Sequence, residues 1–401
     1  MAKRRRIAKA LLAAVILIFI LDVYYSSRDS ASSKFRRKSD SACSYCIDIY
    51  SLWNHNAWND TFQSTEQADI SCQSSHHIVF LKTHKTGSST VTSILQRFGF
   101  LRNLTFAIPP RGGHIISLQK FNRRQVLAGT YDLIVNHVRY NRIEMESVTN
   151  PDSKYITIIR DPATQLESVF GYFQLFRPLH LSDKKNPYSE FISRPQYYLH
   201  RNTNFGMRSY LRNPLLYDLG LDREQQLDVS IVNRTISKLA KEFDLVMLQE
   251  YFNESLLLLK KLLCWEWDDI IYLTKGERIK TLRYAVANDI RKKTRKWCAS
   301  DVMLYDYFNA TFWEKVKNYG PEFETDLKIL ESKLNETKYN CTLPEERPNV
   351  KFRAYEAIPN PGANTLCRYM LKSDRQFTQI IRAKQEDRLI KERQKQNHTK
   401  I

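Results

Sequence analysis

Glycine and proline are scarce in this chain, which has 11 glycines and 13 prolines among 401 residues. That scarcity excludes collagen-like and low-complexity proteins. Hydrophobic residues make up 42% of the chain and aromatic residues 12%, so it can bury a sizeable core and is not globally disordered. The length is enough for one large globular domain or two small ones.

Acidic residues are also in the minority, and most of the resulting charge lies in the two tails. The net charge is +19, of which residues 1–40 carry +7 and residues 371–401 carry +5. Residues 41–370 therefore carry only +7. A nucleic-acid-binding protein needs a dense basic face on its folded part, so we expect no nucleic-acid partner. A moderately basic core fits an anionic small ligand or an anionic membrane surface.

The N-terminus predicts a membrane anchor. Four basic residues at positions 3–6 precede an apolar run of 19 residues, Ile7 to Tyr25. Such a helix would span roughly 28 Å, close to the core of a thin secretory-pathway membrane. We expect a cytosolic tail over 1–6, a single transmembrane signal-anchor over 7–25 and a luminal remainder. A cleaved signal peptide is the alternative.

Sequons and cysteines agree with a luminal location. Seven cysteines predict disulfides in an oxidising compartment, and the odd count leaves one free or bonded to a second chain. Cys43 and Cys46 form a CxxC without a second CxxC, so we expect a structural role there and no metal site. Eight candidate N-glycosylation sites begin at Asn59, Asn103, Asn233, Asn253, Asn309, Asn335, Asn340 and Asn397.

Composition and periodicity divide the luminal part into three segments. Residues 26–70 are rich in Ser, Asp and Asn and predict a stem, 71–370 a catalytic domain, and 371–401 a charged C-terminal helix or tail. Short apolar runs alternate with helical stretches from His76 onward, which predicts an α/β fold with a central parallel sheet flanked by helices. The predicted strands are 78–81, 133–136, 155–159 and 245–248, with helices over 88–98, from Pro162 and over 252–263.

The loop after the first predicted strand has the composition of a phosphate cradle. It opens into a helix whose first N–H groups attract anions, and Gly87 allows close backbone approach. Lys82 and Lys85 add charge, and hydroxyls come from Thr86, Ser88, Ser89 and Thr90. The lysine precedes the single glycine, so this is not a Walker A loop. An ordinary capped helix with two surface lysines is the alternative.

A second polar strand end follows the third predicted strand. Arg160 can fork onto a phosphate, and Ser168, on the helix that Pro162 begins, can donate a hydroxyl to the same group. Alternatively, Arg160 forms a structural salt bridge with Asp161 or Glu167. Because ligands bind at the carboxyl ends of parallel strands, the two strand ends together predict one ligand with two anionic groups.

These two motifs, K-T-G-[ST]-[ST] and R-x₇-S, resemble those of sulfotransferases. Over roughly residues 76–320 the chain is similar, more narrowly, to the galactose 3-O-sulfotransferases. Gly87 departs from the alanine expected in the vertebrate glycolipid enzyme but fits the wider sulfotransferase motif, which puts the acceptor and not the donor in question. The blocks that carry the closer similarity are 78–90, 136–140, 159–173, 210–220 and 245–265.

The resemblance implies a P-loop-like sulfotransferase fold and a type II Golgi membrane enzyme. It implies 3′-phosphoadenosine 5′-phosphosulfate as sulfate donor, with its 5′-phosphosulfate at the first motif, its 3′-phosphate at the second, and no metal. The implied acceptor is the 3-hydroxyl of a terminal galactose, on a glycolipid such as galactosylceramide or lactosylceramide or on a glycoprotein glycan. A homodimer is compatible with these properties.

The resemblance also suggests catalytic roles. Lys85 resembles the lysine that contacts the transferring group, so we expect it to stabilise the transition state and the leaving group. The base is His137, where related carbohydrate sulfotransferases place a histidine, or His84, or a carboxylate. Asn204 and Arg208 are weaker candidates for acceptor binding.

Other interpretations remain open on sequence alone. The basic run 291–296 predicts either a solvated helix face or a contact with the membrane or the entering donor. The chain could sulfate another glycan, or it could be a non-enzymatic, membrane-anchored glycan-binding protein. A kinase is the least favoured alternative because the Walker lysine and a Mg²⁺-binding pair are not evident.

Overall fold

The computed structural model describes residues 72–110, 112–201, 207–349 and 354–398. The predicted anchor and stem, with Cys43, Cys46 and Asn59, lie outside these ranges, as does Asn204. Across the four ranges, no helix has the length and apolar character that a membrane crossing requires.

The strands and helices alternate along the first half of the chain, as an α/β fold requires. The strands are β1 Ile78–Leu81, β2 Ile115–Lys120, β3 Leu133–Ile134, β4 His137–Arg139, β5 Lys154–Ile159, β6 Leu245–Leu248, β7 Thr342–Asn349 and β8 Ala354–Pro359. The helices are α1 Ser88–Leu101, α2 Arg142–Glu146, α3 Pro162–Tyr172, α4 Pro187–Ser193, α5 Pro195–Arg201, α6 Pro214–Asp218, α7 Val229–Glu242, α8 Phe252–Leu263, α9 Trp267–Ile270, α10 Asn288–Trp297, α11 Ala299–Lys317, α12 Phe323–Cys341, α13 Thr365–Leu371 and α14 Asp374–His398.

A four-stranded parallel sheet in the order β3–β1–β5–β6 forms the centre. Every residue of β1 and β6 is buried, because helices cover both faces of the sheet. The predicted α/β class with a central parallel sheet is therefore confirmed. The strand predicted over 133–136 was too long, since β3 ends at Ile134 and His137 begins β4, which pairs with β2.

The register of the sheet fixes where a ligand can bind. Leu81, the last residue of β1, is level with Thr157 of β5, and Ile159 of β5 is level with Leu248 of β6. The loops that follow β1 and β5 therefore emerge at the same edge of the sheet. These are the two loops that carry the predicted anion-binding motifs.

The C-terminal helix α14 packs onto the sheet domain. Its residues Phe377 and Ile381 are buried in the main core, and the side chain of Gln385 accepts the backbone N–H of Phe106 at 2.7 Å. This packing brings the first residue of α14 to the same edge of the sheet as the two loops, as described below.

Two disulfides link distant parts of the chain. Cys72 pairs with Cys264, which follows α8, and Cys341 at the end of α12 pairs with Cys367 in α13. Among the described cysteines only Cys298 is free, and it is buried. The expected disulfides are therefore confirmed.

Candidate functional site

The loop between β1 and α1 turns through two left-handed residues. Lys85 has φ +61° and Gly87, at the N-cap of α1, has φ +79°. Backbone turns of this kind aim successive N–H groups into one concavity, which binds anions. A left-handed Lys85 costs backbone energy, and such residues are concentrated at functional sites. The backbone thus has the form that the sequence predicted for a phosphate cradle.

The hydroxyl groups of the cradle brace the loop. The Ser88 hydroxyl donates to the Thr83 carbonyl at 2.6 Å, and the hydroxyls of Thr86 and Thr83 lie 2.8 Å apart. The Thr90 hydroxyl accepts the backbone N–H of Lys275 at 3.2 Å. These three hydroxyl groups, which were predicted as ligands, therefore stabilise the shape of the loop. The groups left to attract an anion are the backbone N–H groups and lysine.

Lys82 is paired with an acid that sequence analysis missed. Its ammonium, almost completely buried, forms an ion pair with Asp374 at the start of α14. The Ser89 hydroxyl donates to the same carboxylate oxygen at 3.1 Å. Two predicted donor ligands are thus held by one carboxylate from the C-terminal helix.

Lys85 has a different environment. Its ammonium lies 3.8 Å from the centroid of the Tyr172 ring, and among the described residues it has no ion-pair partner. Burial, reinforced by the positive charges of Arg278 and Arg160, lowers the pKa of Lys85 to about 8. An anion bound here would be attracted to an ammonium that no carboxylate of the described residues pairs with directly.

Arg160 joins the two strand ends. Its guanidinium donates to the Lys85 carbonyl at 3.3 Å and to the Thr164 hydroxyl at 3.0 Å. Neither predicted salt bridge forms, because Asp161 pairs with Arg291 and Glu167 pairs with Arg278. Burial lowers the pKa of Arg160. Ser168 is buried on the helix that follows, α3.

The basic run 291–296 lies on α10, beside the second strand end. Arg291 and Arg295 reach the Asp161 carboxylate at 2.9 and 3.5 Å, and Arg295 also pairs with Asp306. Asp161 is in turn the N-cap of α3. Arg291 and Arg295 therefore form ion pairs at this edge of the sheet. A purely solvated helix face, which was one of the two predictions, does not describe them.

The two candidate bases are stacked on each other. The rings of His84 and His137 lie 4.3 Å apart at 17°. His84 Nδ1 lies 3.0 Å from both carboxylate oxygens of Asp218, and the Tyr210 hydroxyl donates to that carboxylate at 3.2 Å. Because Nδ1–H of His84 donates to Asp218, its Nε2 is left to accept a proton.

His137 is held by the backbone instead of a carboxylate. Its Nδ1 lies 3.1 Å from the Lys82 carbonyl and donates to it. Burial, with the charge of His84 when that ring is protonated and the charge of Lys82, lowers the pKa of His137 well below its usual value. The protonated form of His137 is therefore disfavoured.

The remaining predicted sites are dispersed. Arg208 donates to the Leu199 carbonyl at 3.1 Å. Asn103, Asn335 and Asn340 are exposed, whereas Asn233, Asn253 and Asn309 are partly buried, and Asn397 lies in α14. The described part of the chain has no group of three or more histidines, cysteines and acids that could hold a metal ion.

Sequence reasoning missed three charged residues at this edge. Asp218 lies in the 210–220 block, which drew attention for its resemblance and not for this carboxylate. Arg278 and Asp374 come from segments that carried no motif. Distance in sequence explains the omission, since Asp218 is 134 positions from His84 and Asp374 is 292 from Lys82.

Comparisons with known proteins show which family this sequence resembles. A sequence profile described as galactose-3-O-sulfotransferase matches residues 1–350. Galactosylceramide sulfotransferase of Bos taurus is 37% identical over 258 residues, which are 63% of this chain and 60% of that protein. Galactose-3-O-sulfotransferase 3 of Mus musculus is 37% identical over 250 residues, 61% of this chain and 58% of that protein.

A more divergent relative aligns over a longer stretch. Galactose-3-O-sulfotransferase 2 of Sus scrofa is 29% identical over 331 residues, 75% of this chain and 82% of that protein. The chain spans about 60% of the length of the two more similar relatives. Since the profile covers most of the sequence, the resemblance found in the motifs is confirmed, and the chain belongs to the galactose-3-O-sulfotransferase family.

Proposed function

We propose that this chain transfers a sulfuryl group from 3′-phosphoadenosine 5′-phosphosulfate to the 3-hydroxyl of a terminal galactose. One observation carries the proposal. Three features meet at one edge of the parallel sheet: a cradle whose Lys85 has no ion-pair partner in the described ranges, an arginine at the adjacent strand end, and a stacked histidine pair. Family membership supports the galactose acceptor, and the anion-binding edge supports the donor.

Lys85 and Arg160 serve the donor in this proposal. The bound donor supplies an activated sulfuryl group on a phosphate. Lys85, beside the backbone N–H groups of the cradle, neutralises the charge that develops on the phosphate oxygen when the sulfur–oxygen bond breaks. Arg160 binds the 3′-phosphate and keeps the donor in register through its bond to the Lys85 carbonyl.

His84 is the general base in this proposal. Its Nε2 accepts the proton of the galactose 3-hydroxyl as that oxygen bonds to sulfur, and Asp218 stabilises the imidazolium that forms. His137 contributes by stacking on the His84 ring. The low pKa of His137 supports this division, because it makes His137 a weaker proton acceptor.

The acceptor is proposed to bind beside the aromatic side chains that surround the His84 ring. Tyr210 and Phe173 lie 4.5 and 5.8 Å from that ring, and Tyr172 lies next to Lys85. Galactose has an apolar face that packs on aromatic rings. Both galactosylceramide and galactose-terminated glycans are proposed acceptors, since galactosylceramide sulfotransferase and galactose-3-O-sulfotransferase 3 are each 37% identical to this chain where they align.

The proposed location is the Golgi membrane, with the catalytic domain in the lumen. Support comes from the apolar run 7–25 with its basic flank, from the sequons and from the two disulfides, which persist in oxidising compartments. Protease protection of the sheet domain in intact vesicles, with a tag at residue 1 cleaved, would test this orientation.

The test of function uses the full chain in detergent micelles with the radiolabelled donor. Galactosylceramide, a lactose-type oligosaccharide and a heparan-type polymer are offered in parallel, with chelator present. We expect label on the two galactosides, and the ratio of label on the lipid to label on the oligosaccharide identifies the preferred acceptor. Label on the polymer alone would replace the galactose acceptor with another glycan. No label with the donor still bound would favour the non-enzymatic glycan-binding alternative.

A further inference from the structure

Arg278 is a buried cation that the proposed mechanism does not use. It lies between α9 and α10 and is only 7% exposed. Its NH2 group forms an ion pair with the carboxylate of Glu167, and its NH1 group donates weakly to the Glu167 carbonyl at 3.4 Å. The third donor, Nε, is buried and has no hydrogen-bond partner among the described residues. A buried charged donor without a partner is costly.

The surroundings of Arg278 lead directly to Lys85. A Cβ atom on Gly171 would lie 2.1 Å from Arg278 NH1, so the absence of a side chain there makes room for the guanidinium. The next residue, Tyr172, holds the Lys85 ammonium over its ring. Glu167, Gly171 and Tyr172 lie on consecutive turns of α3. Arg278 and Lys85 therefore approach the same stretch of this helix from two different segments.

The charges at this point do not balance. Lys85, Arg160 and Arg278 are three cations, and Glu167 is the carboxylate bound directly to one of them. Arg278 is the strongest of the charges that lower the pKa of Lys85, and it also lowers that of Arg160. Two other acids are near Arg160. Asp161 is matched by Arg291, whereas Glu250, which accepts the Asp161 backbone N–H, is the strongest charge acting on Arg160. Glu167 and Glu250 together leave an excess of one positive charge.

Excess buried positive charge is unfavourable in the free protein and favourable once an anion enters. We propose that Arg278 is a third cationic ligand of the sulfate donor and binds one of its anionic groups between Lys85 and Arg160. This inference rests on the proposed function. The competing explanation is that Arg278 serves only to neutralise Glu167.

Backbone contacts hold Arg278 in place for this role. The residue forms an isolated bridge with Ala354, and the neighbouring Tyr355 N–H donates to the Glu277 carbonyl at 2.8 Å. The antiparallel pair of β7 and β8 thus anchors the segment that delivers the guanidinium. Its position is therefore set independently of the ligand.

The experiment measures equilibrium binding of 3′-phosphoadenosine 5′-phosphate, the desulfated donor, to the full chain in detergent micelles. The variants are Arg278→Gln, Glu167→Gln and the double variant. The double variant is decisive, because it removes both partners of the buried pair and leaves no unpaired acid. Arg234→Gln is the control for losing one positive charge, since Arg234 is exposed on α7 and bonds only Ser230 among the described residues.

We expect the double variant to melt near the wild-type temperature and to bind the nucleotide at least about tenfold more weakly, as for the loss of a charge-assisted contact. Glu167→Gln should bind as tightly as wild type or more tightly, and Arg234→Gln like wild type. Wild-type affinity in the double variant would overturn the inference and assign Arg278 to Glu167 alone. If the wild-type chain binds no nucleotide at all, the proposed function fails instead.

A second nucleotide locates the contact. Adenosine 5′-phosphosulfate lacks the 3′-phosphate. An equal loss of affinity for both nucleotides in the double variant assigns Arg278 to the 5′ group beside Lys85. A loss confined to the 3′-phosphorylated nucleotide assigns it to the 3′-phosphate beside Arg160.

Discussion

The two sides of the site edge differ in how far their charges and hydrogen bonds are satisfied. On the histidine side, Asp218 accepts from His84 and Tyr210, and His137 donates to a backbone carbonyl. On the cationic side, Lys85 lies on an aromatic ring, and Arg278 Nε has no hydrogen-bond partner within the part of the chain that the structure describes. The protein itself preorganises the histidine side, whereas we propose that a bound anion completes the cationic side. Substitutions on the two sides should therefore have different effects on turnover and on donor binding.

The largest effect is expected for Lys85→Ala. Loss of the ammonium should lower kcat by about 10²–10³-fold, the range for removing one transition-state charge contact. The melting temperature should not fall, because the variant relieves a buried positive charge. Steady-state sulfate transfer and a thermal melt check both. Normal turnover would contradict the role of Lys85.

The lowered pKa of Lys85 predicts that donor affinity depends on pH. Its lowered pKa, about 8, means that the free protein loses this charge as pH rises through 8, whereas an ordinary lysine stays protonated until about pH 10.4. Donor affinity should therefore be full below pH 7 and decline above pH 8. In Lys85→Arg the guanidinium stays charged, so the decline should be absent. A decline that persists in that variant would assign it to another group.

The histidine side should respond through kcat. Asp218→Asn should lower kcat by about 10²-fold if His84 is the base, near the low end for general base catalysis, with little change in donor KM. His84→Ala should lose at least as much, and His137→Ala about tenfold by disturbing the stack. If His137→Ala lowers kcat more than His84→Ala does, His137 is the base and His84 supports it.

Arg160→Ala should change donor KM and leave kcat nearly unchanged, which is the opposite of the histidine variants. Its contact persists from ground state to transition state, so we expect donor KM to rise about tenfold or more with kcat within a few-fold of wild type. Initial rates at varied donor and saturating acceptor measure the split. A variant that loses only kcat would remove Arg160 from donor binding.

The smallest effect on turnover is expected for Asp374→Asn. This substitution leaves buried Lys82 without its counter-ion, so the free energy of unfolding should fall by about 3 kcal/mol. Because Asp374 holds the cradle without touching the transferring group, kcat should change less than about threefold. Urea denaturation beside an activity assay checks the pair of outcomes. A loss of kcat without a loss of stability would place Asp374 in the chemistry.

The sequence predicted those features that are formed by residues close together along the chain. Strand β1, its loop and α1 are contiguous, so the strand and the start of the helix followed from the local sequence. Helix α8 and strand β6 also have the predicted bounds. Asp218, Arg278 and Asp374 reach the site through tertiary packing, and no local pattern marks them. The short β3 and the separate β4 depend on strand pairing, which apolar runs do not specify.

The hydroxyl groups show the same limit at single residues. Composition predicted Thr86 and Ser88 as ligands, whereas both brace the loop through Thr83. Which partner a hydroxyl selects depends on a neighbour's position in space and not on residue type. Likewise, Arg160 could have paired with either nearby acid, and the packing of α10 and of the segment around Arg278 decided otherwise.

The most direct test of the account is a thermal melt of the full chain with and without 3′-phosphoadenosine 5′-phosphate at pH 7. A ligand that binds only the folded state raises the melting temperature. We predict a clear rise for wild type and for His84→Ala, and little or none for the Lys85→Ala/Arg160→Ala double variant. An equal rise in that double variant, or no rise in wild type, would contradict the claim that the cationic side binds the donor.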